Sequence, residues 1–298
     1  MNDPDLREAL EKIDSPRILV VGDLMLDHYS WGEVDRISPE APIPVMRVLR
    51  EDQRLGGAGN VVMNLATLGA EVLVCGVTGK DKTGGTILKL LSENGVDYSG
   101  VLIAENYKSC LKHRMIAGQT HLLRMDIDPD PNSPLPQKQL ISYLEKTIPS
   151  SDAVVVSDYG KGLLRSKTLE AIATCGKKHG IPVVGDPRST TNYSIYQDFT
   201  LIKPNRKEAE AAVGFALKDQ NDVLRAAEML QAEVKLKYLI ISLDRDGLLL
   251  FHSPQDYHFM AAETQEVFDV VGAGDAVSSM LAFMLAGKAK IEQAAYWA

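Results

Sequence analysis

Short apolar runs rich in Val, Ile and Leu recur along this chain, and stretches with helical spacing lie between most of them. The apolar runs are 17–23, 71–76, 153–158, 182–186, 199–203 and 238–242. The helical patterns are 57–69, 83–94, 135–147, 165–179, 205–213 and 219–235. Continuous apolar runs are typical of strands that are buried on both faces. Because they alternate with helices, we predict an α/β fold: a doubly wound, mostly parallel sheet with helices on both faces.

Two stretches, about 28–55 and 98–127, interrupt this alternation. Both contain apolar and polar residues in turn, as in Val45, Arg47 and Leu49, which is the spacing of a strand with one exposed face. We therefore predict that the two stretches form a small β-sheet lid beside the main sheet. Nothing in residues 1–298 resembles a linker, so we predict one domain that carries this lid.

The charge balance and the cysteines exclude several classes of protein. The 298 residues include 32 Lys and Arg against 40 Asp and Glu, a formal net charge of -8, which argues against a nucleic-acid-binding face. No apolar stretch is long enough to span a bilayer. The three cysteines, Cys75, Cys110 and Cys175, include no CxxC pair, which argues against a disulfide framework or a cysteine zinc site. We expect a cytoplasmic protein without a membrane or nucleic-acid partner.

The sharpest chemical signal is a small-residue turn, Gly272-Ala273-Gly274, that opens directly onto an apolar helix. Free amide groups at a helix start, together with the helix dipole, suit an anion such as a phosphoryl group. Asp275 follows in the first turn, where a carboxylate can take a proton from an attacking hydroxyl. The alternative is a glycine-rich turn whose aspartate only caps the helix.

A second glycine cluster, Gly56-Gly57-Ala58-Gly59-Asn60, also precedes a helix, and Asn60 is expected to face the same opening. Neither cluster completes the GxGxxG pattern of a dinucleotide site, and no Walker A sequence is present. Phosphoryl transfer in this chain would therefore use another architecture.

A third signal, Lys203-Pro204-Asn205-Arg206-Lys207-Glu208, stands between a predicted strand and a predicted helix. Asn205 and Glu208 are three residues apart and share a face of the first turn. Their oxygens suit Mg²⁺ or its water ligands. The alternative is a helix cap with Glu at its third position.

Lys161 and the six histidines are further polar candidates. Lys161 lies in a Gly-flanked turn after the strand at 153–157, where it could approach the phosphate of a sugar phosphate as a point charge. The alternative is a solvated lysine in a surface loop. The six histidines show no paired metal-ligand spacing, and we interpret them as surface or lid residues.

The three motifs together, in this order and spacing, resemble the ribokinase-like (PfkB) family of sugar kinases from about Arg17 to the end of the chain. Within that family, the segments at 22–27, 36–45 and 157–162 resemble the D-glycero-D-manno-heptose 7-phosphate kinases of lipopolysaccharide inner-core synthesis. These act alone or fused to a nucleotidyltransferase. The resemblance implies an ATP- and Mg²⁺-dependent kinase that phosphorylates the C1 hydroxyl of a heptose 7-phosphate.

The resemblance also implies roles for individual residues. Asp275 matches the catalytic base, and Gly272, Ala273 and Gly274 match the anion hole. The matches to sugar contacts are Asp27, Gly56, Gly57 and Asn60, beside the Lys161 already discussed. The nucleotide and Mg²⁺ positions are Asn205, Arg206, Lys207, Glu208, Ser242 and Gly247. Asp269 occupies the position where some relatives hold a monovalent cation such as K⁺. Relatives often dimerise through the lid, which implies a homodimer.

The chain departs from the family pattern in places. Asp244 stands where the nucleotide strand usually has its first glycine, and Val270 replaces the usual threonine after Asp269. Relatives continue with a further helix beyond Ala298, which implies a truncated C-terminus.

Two other functions stay open: a kinase of this family that acts on another sugar phosphate or a nucleoside, and a non-catalytic sugar or nucleotide sensor. The intact Asp275 argues against the sensor.

Overall fold

The computed structural model describes residue 8 and residues 10–262 and 272–298. Its strands are β1 (Arg17–Gly22), β2 (Leu24–Ile37), β3 (Pro44–Gly57), β4 (Glu71–Gly79), β5 (Asp97–Ala104), β6 (Cys110–Ala117), β7 (Thr120–Ile127), β8 (Ala153–Ser157), β9 (Val183–Asp186), β10 (Leu201–Ile202), β11 (Tyr238–Ser242), β12 (Leu248–Ser253) and β13 (Asp256–Met260). We number the helices α1 (Ala58–Thr67), α2 (Lys82–Glu93), α3 (Gln137–Thr147), α4 (Ser166–His179), α5 (Arg206–Val213), α6 (Gln220–Val234), α7 (Ala273–Ala286) and α8 (Ile291–Trp297).

Nine strands form the main sheet, in the order β13-β12-β11-β10-β9-β8-β1-β4-β5. All neighbours from β5 to β11 pair in parallel, and β12 and β13 continue the sheet antiparallel. The order of the strands reverses between β1 and β8, and ligands of doubly wound sheets bind beyond the carboxyl ends of the strands at such a point. The prediction of a doubly wound, mostly parallel sheet is confirmed.

Helices cover both faces of this sheet because the central strands are apolar on both sides. In β1, Leu19 and Val21 belong to one buried cluster, and Ile18 and Val20 belong to the other. Residues of α3, α4, α5 and α6 pack in the first cluster, and residues of α1, α2, α7 and α8 pack in the second. The six helices predicted from sequence periodicity match α1 to α6 to within three residues at either end.

Four strands, in the order β3-β2-β6-β7, form a separate small sheet, which we call the lid. The β2–β3 and β6–β7 pairs are antiparallel, and the β2–β6 pair is parallel. The predicted boundary at 98–127 is wrong in part, because β5 is the edge strand of the main sheet and pairs in parallel with β4. An edge strand exposes alternate side chains as a lid strand does, so its sequence pattern did not distinguish the two locations.

None of the described helices is long and apolar enough to cross a membrane. Cys75, Cys110 and Cys175 are buried and carry free thiols.

Candidate active site

The carboxyl ends of four neighbouring strands and the start of α7 bring buried charged groups together. Asp23, Asp158 and Asp186 follow or end β1, β8 and β9, and Lys203 follows β10. Asp23, Asp158 and Lys203 are buried and Asp186 is half-buried. Because burying unpaired charges is costly, such a collection of ionisable groups indicates a functional site more than a structural one.

Asp275 lies at the centre of this collection, in the first turn of α7, and it is buried. Asn60 Nδ2 donates a hydrogen bond of 2.7 Å to its Oδ2, and the Tyr159 hydroxyl donates one of 2.8 Å to its Oδ1. Burial raises the pKa of Asp275, and the negative charge of Asp186 adds to this, while the two hydrogen bonds and Lys203 oppose it. Two fixed donors therefore orient a carboxylate whose environment makes it a better proton acceptor.

The turn before Asp275 has the geometry that an anion hole needs. Gly272 caps α7 in the left-handed conformation, with φ of 85°, which favours glycine. The first hydrogen bond of the helix joins the amide of Ala276 to the carbonyl of Gly272. The amides of Ala273, Gly274 and Asp275 consequently have no acceptor within the helix. These groups and the helix dipole present positive potential beside the Asp275 carboxylate.

Lys203 belongs to the third motif, but its sequence position predicted no role for it in the site. Its side chain is only 2% exposed, and its amine lies 3.2 Å from Asp186 Oδ1. The same amine comes within 3.5 Å of the position that a Cβ on Gly274 would occupy, so it stands beside the anion hole. Ser278 of α7 donates a 2.8 Å hydrogen bond to Asp186 Oδ2. Lys203 thus brings a buried positive charge to the position where negative charge on a phosphoryl group would collect.

Asn205 and Glu208 form a complete capping box at the start of α5. Asn205 Oδ1 accepts from the amide of Glu208 at 2.9 Å, and Glu208 Oε2 accepts from the amide of Asn205 at 2.8 Å. Burial raises the pKa of Glu208 to about 7, and the charge of Asp186 acts in the same direction, whereas Lys203 lowers it. The capping interpretation therefore describes the bonds that the structure shows. The charges of Asp186 and Lys203 both act on Glu208, and its role toward Mg²⁺ stays a prediction.

The lid contributes a further acidic group, Asp27. Asp27 of β2 accepts a hydrogen bond from Arg114 of β6 in an ion pair that is largely buried. A side chain on Gly56 would overlap the Asp27 carboxylate, so glycine is needed there for the close approach of the backbone. Gly57, with φ of 58°, caps α1 and leads to Asn60. Asp27, Gly56, Gly57 and Asn60, the sugar contacts expected from the resemblance, therefore lie on three consecutive elements, β2, β3 and α1.

Lys161 lies where the sequence placed it, in the loop after β8, but its amine is paired. It forms an ion pair of 2.7 Å with Asp128, and its backbone amide donates to the buried Asp23 carboxylate. The amide of Tyr159 donates to the same Asp23 oxygen, so Asp23 fixes the loop that carries Tyr159 and Lys161. Lys112 of the lid lies 5.5 Å from the centre of the Tyr159 ring. Two lysines therefore border the Tyr159 side of the site.

The remaining predicted nucleotide residues form a separate group at the end of β11. Asn205 forms an isolated parallel bridge with Ser242, which brings the third motif to this strand. Arg206 donates a 2.7 Å hydrogen bond to Asp246 and another to the carbonyl of Leu217, so its guanidinium is already engaged. Lys207 is exposed. Gly247 has φ of 93° in the same loop. Asp269 lies outside the described residues.

The donor set of this site fits a divalent cation and a polyphosphate. Three carboxylates, those of Asp186, Glu208 and Asp275, are coupled so that Asp186 raises the pKa of the other two. Hard carboxylate and amide oxygens are the ligands that Mg²⁺ prefers, and a cation would relieve this repulsion. The helix start and Lys203 supply the positive potential that phosphate oxygens need.

A positioned carboxylate beside an anion-binding helix start suits the transfer of a phosphoryl group to a hydroxyl, so the fold and the site together define a small-molecule kinase. The chain belongs to the pfkB family of carbohydrate kinases, because the sequence model of that family, described as pfkB family carbohydrate kinase, matches residues 15–298. The chain is therefore a carbohydrate kinase domain.

Similar proteins from bacteria carry the name "Bifunctional protein HldE". That of Campylobacter curvus is 43% identical over 277 residues, which cover 93% of this chain and 58% of the relative. That of Trichlorobacter lovleyi is 41% identical over 291 residues, which cover 97% of this chain and 59% of the relative. The chain thus spans somewhat over half the length of these relatives.

Solved structures show the same fold at low sequence identity. Phosphofructokinase-2 from Escherichia coli, in complex with substrates and products, superposes with a TM-score of 0.74 at 22% identity, over 94% of this chain and 89% of that chain. Ribokinase from Arabidopsis thaliana, complexed with ribose and ATP, superposes with a TM-score of 0.73 at 17% identity, also over 94% and 89%. The ribokinase-like fold predicted from the motifs is confirmed.

Proposed function

We propose that this domain transfers the γ-phosphoryl group of ATP to the C1 hydroxyl of D-glycero-D-manno-heptose 7-phosphate, giving the 1,7-bisphosphate and ADP. The observation that carries the kinase chemistry is the pair of hydrogen bonds that Asn60 and Tyr159 donate to Asp275 beside the α7 helix start. The choice of heptose rests on the sequence resemblance at 22–27, 36–45 and 157–162 and is supported by the relatives at about 40% identity. It would serve ADP-heptose and lipopolysaccharide inner-core synthesis.

In this proposal, the residues of the chain carry out a single in-line displacement. The C1 oxygen forms a bond to the γ-phosphorus while the bond from that phosphorus to the β–γ bridging oxygen breaks. The hydroxyl proton passes to Asp275, and ADP leaves with the electron pair of the broken bond. The amides of 273–275 and the Lys203 amine stabilise the charge on the transferring group.

The site also offers positions for the implied cofactor. Glu208 and Asn205 would hold Mg²⁺, through water in part, and Asp186 faces the same group of carboxylates. When bound, Mg²⁺ supplies charge neutralisation for the phosphate oxygens. A monovalent cation at Asp269 stays a prediction from the resemblance.

Recognition of the 7-phosphate is assigned to the two lysines that border Tyr159. Lys161 is 20% exposed and pairs with Asp128, which is itself 42% exposed, so a phosphate can compete for the amine. Lys112 projects from the lid toward the same ring. Together they offer two positive charges on the lid and on the loop after β8, and we assign the 7-phosphate to them.

The lid also supports the proposed homodimer. Its β7 strand exposes Leu123, Met125 and Ile127, which share one face because they are two residues apart. A contiguous exposed apolar patch marks an interaction surface more often than it does ordinary surface. A second copy of the chain is the occupant expected from the resemblance, and the cytoplasm is the expected compartment.

The test is a screen of sugar phosphates for ATP-dependent release of ADP, with wild type and Lys161→Ala in parallel. We expect heptose 7-phosphate to be preferred over the unphosphorylated heptose and over hexose phosphates. The variant should raise the KM for the sugar phosphate by about ten- to a hundredfold, the value of a lost charge-assisted contact, with little change in the KM for ATP.

Two results would redirect the proposal. Preference for a hexose phosphate or a nucleoside would leave the kinase chemistry in place and replace the substrate. A Lys161→Ala enzyme that discriminates fully between phosphorylated and unphosphorylated heptose would remove Lys161 from recognition, and Lys112→Ala would then be the decisive variant.

A further inference from the structure

Three side chains that could bind a metal lie side by side on three adjacent strands of the lid. They are His28 on β2, Glu51 on β3 and His113 on β6, and their ligand atoms all lie within 4.8 Å of one another. The sheet register explains the cluster, because His28 pairs directly with His113 and Ser30 pairs with Glu51. Glu51 and His113 follow His28 by 23 and 85 positions, so local sequence spacing does not indicate the cluster.

The contacts within the cluster leave one nitrogen without a hydrogen bond. The imidazole rings of His28 and His113 are stacked, with centroids 4.1 Å apart and planes inclined by 8°. The Ser30 hydroxyl lies 2.8 Å from His113 Nε2 and donates to Glu51 Oε1 at 3.0 Å. His28 Nε2 is buried and lies 3.1 Å from the same Glu51 oxygen, but the two atoms are not oriented for a hydrogen bond. Two imidazole nitrogens and one carboxylate oxygen therefore converge on a small volume.

We propose that His28, Glu51 and His113 form a zinc site that ties together three strands of the lid. Two imidazoles with one carboxylate are a common ligand set for Zn²⁺, whereas Mg²⁺ and Ca²⁺ prefer oxygen ligands throughout. In a tetrahedral site with bonds near 2.0–2.1 Å, ligand atoms lie about 3.3 Å apart. The 3.1 Å separation of His28 Nε2 and Glu51 Oε1 already matches that value.

The other ligand has to move. Because all ligand atoms are within 4.8 Å, His113 Nε2 has to approach by at most about 1.5 Å to reach tetrahedral spacing. The two stacked rings also have to tilt out of their parallel arrangement so that both nitrogens point at the same ion. Because the Ser30 hydroxyl gives its one proton to Glu51, His113 Nε2 is the donor to the Ser30 oxygen. Zinc binding would require the tautomer that carries the proton on Nδ1, which frees Nε2. The Glu51 side chain is 57% exposed, which leaves the fourth position open to water.

This site is separate from the catalytic one. Successive side chains of a strand point to opposite faces, so His28 and His113 point away from the face that carries Asp27 and Arg114. The Asp27–Arg114 pair belongs to the sugar side. Zinc would therefore act on the stability of the lid, and the proposal does not depend on the identity of the sugar.

Zinc binding to the purified chain is the direct test, measured by calorimetry and by competition with a metallochromic indicator. Excess Mg²⁺ is included so that the catalytic carboxylates do not contribute. We expect one zinc per chain and a rise in the thermal unfolding temperature, because a ligand that binds only the folded state stabilises it. Co²⁺ in place of zinc should give the visible absorption of a four-coordinate site.

Three variants and a matched control make the result specific. His28→Gln, His113→Gln and Glu51→Gln should each weaken zinc binding by more than the roughly 10–100-fold cost of losing an outer-shell partner. Glu51 is exposed, so its variant should fold normally. The control is His252→Gln with His258→Gln, which removes the other histidines that flank an acid, Asp256. Zinc affinity lost in the control, retained in the three variants, or absent in wild type would overturn the proposal.

Discussion

In the proposed mechanism Asp275 takes the hydroxyl proton, and its surroundings define a clean substitution. Asn60 and Tyr159 both donate to its carboxylate, so an amide at this position keeps the shape but loses the proton acceptor. We expect Asp275→Asn to lower kcat by about 10²–10⁴-fold, the usual loss for a positioned base. Nucleotide affinity, measured by calorimetry, should change little. Turnover close to wild type would show that another group takes the proton.

Tyr159 tunes the same carboxylate, and its effect has a sign that can be derived. The phenol hydrogen bond stabilises the charged form and so lowers the pKa of Asp275. Tyr159→Phe removes that bond, which raises this pKa, and because the base acts when deprotonated, the acidic limb of the kcat/KM profile should move to higher pH. Tyr196→Phe is the matched control, since that hydroxyl donates to Asp158 at 2.7 Å and not to Asp275. An acidic limb that moves equally in both variants would assign the effect to general disturbance of the site.

At this scale, the sequence predicted residues in compact motifs and missed those that act across the fold. Asp275 and Asn60 were predicted because each adjoins a glycine-rich helix start. Tyr159 is 116 residues from Asp275, and Lys203 reaches the anion hole only because β10 ends beside α7. The sequence predicts only that the histidines are surface or lid residues, whereas pairing of β2 with β6 brings two of them together. Such contacts depend on the order of the strands in the sheet, which the local spacing of residues does not predict.

Among the elements, the loop between β11 and β12 combines two unusual backbone conformations. Gly247 has φ of 93°, and a side chain there would overlap the carbonyl oxygen of Met260. Gly247→Ala should therefore lower the free energy of unfolding by at least about 1–3 kcal/mol, the usual cost of such strain. The measurement is urea unfolding.

Asp244 provides the contrast within the same loop. It has φ of 56° and replaces a glycine of the family pattern. Its ion pair with Arg206 spans 3.7 Å, and the Asp244 side chain is 74% exposed, so the pair contributes little to stability. Asp244→Gly should stay within about 1 kcal/mol of wild type, because relief of the left-handed conformation offsets the added flexibility of the unfolded chain. Equal losses in the two variants would show that the loop tolerates no change, whatever its backbone conformation.

The elements themselves were the most predictable part of the structure. Six helices and six strands of the main sheet follow directly from apolar periodicity. Strand β5 was assigned to the lid because an edge strand and a lid strand both bury one face. The capping box at Asn205 shows the opposite difficulty. One pattern, Asn followed three residues later by Glu, predicts both a cap and a metal ligand, and the structure shows the cap.

On the scale of the whole molecule, the site is assembled from both sheets. Asp275, Lys203 and Asp186 come from the main sheet and α7, whereas Asp27 and Arg114 come from the lid. Lys112 of the lid lies over the Tyr159 ring, so the lid contacts a side chain that holds the base. The position of the lid therefore bears directly on the site, and any contact that fixes the lid also fixes the sugar side.

The apolar face of the lid is the surface through which a second copy would fix it. Leu123, Met125 and Ile127 are 56%, 42% and 39% exposed along β7. A glutamate at the centre of an interface would be buried without a partner, which is costly, so Leu123→Glu should convert a dimer to monomers in analytical ultracentrifugation. Ile103→Glu is the matched control, because Ile103 is also 56% exposed but lies on β5, at the edge of the main sheet. A monomeric wild type would contradict the proposed homodimer, and a dimer lost only in the control would place the interface away from the lid.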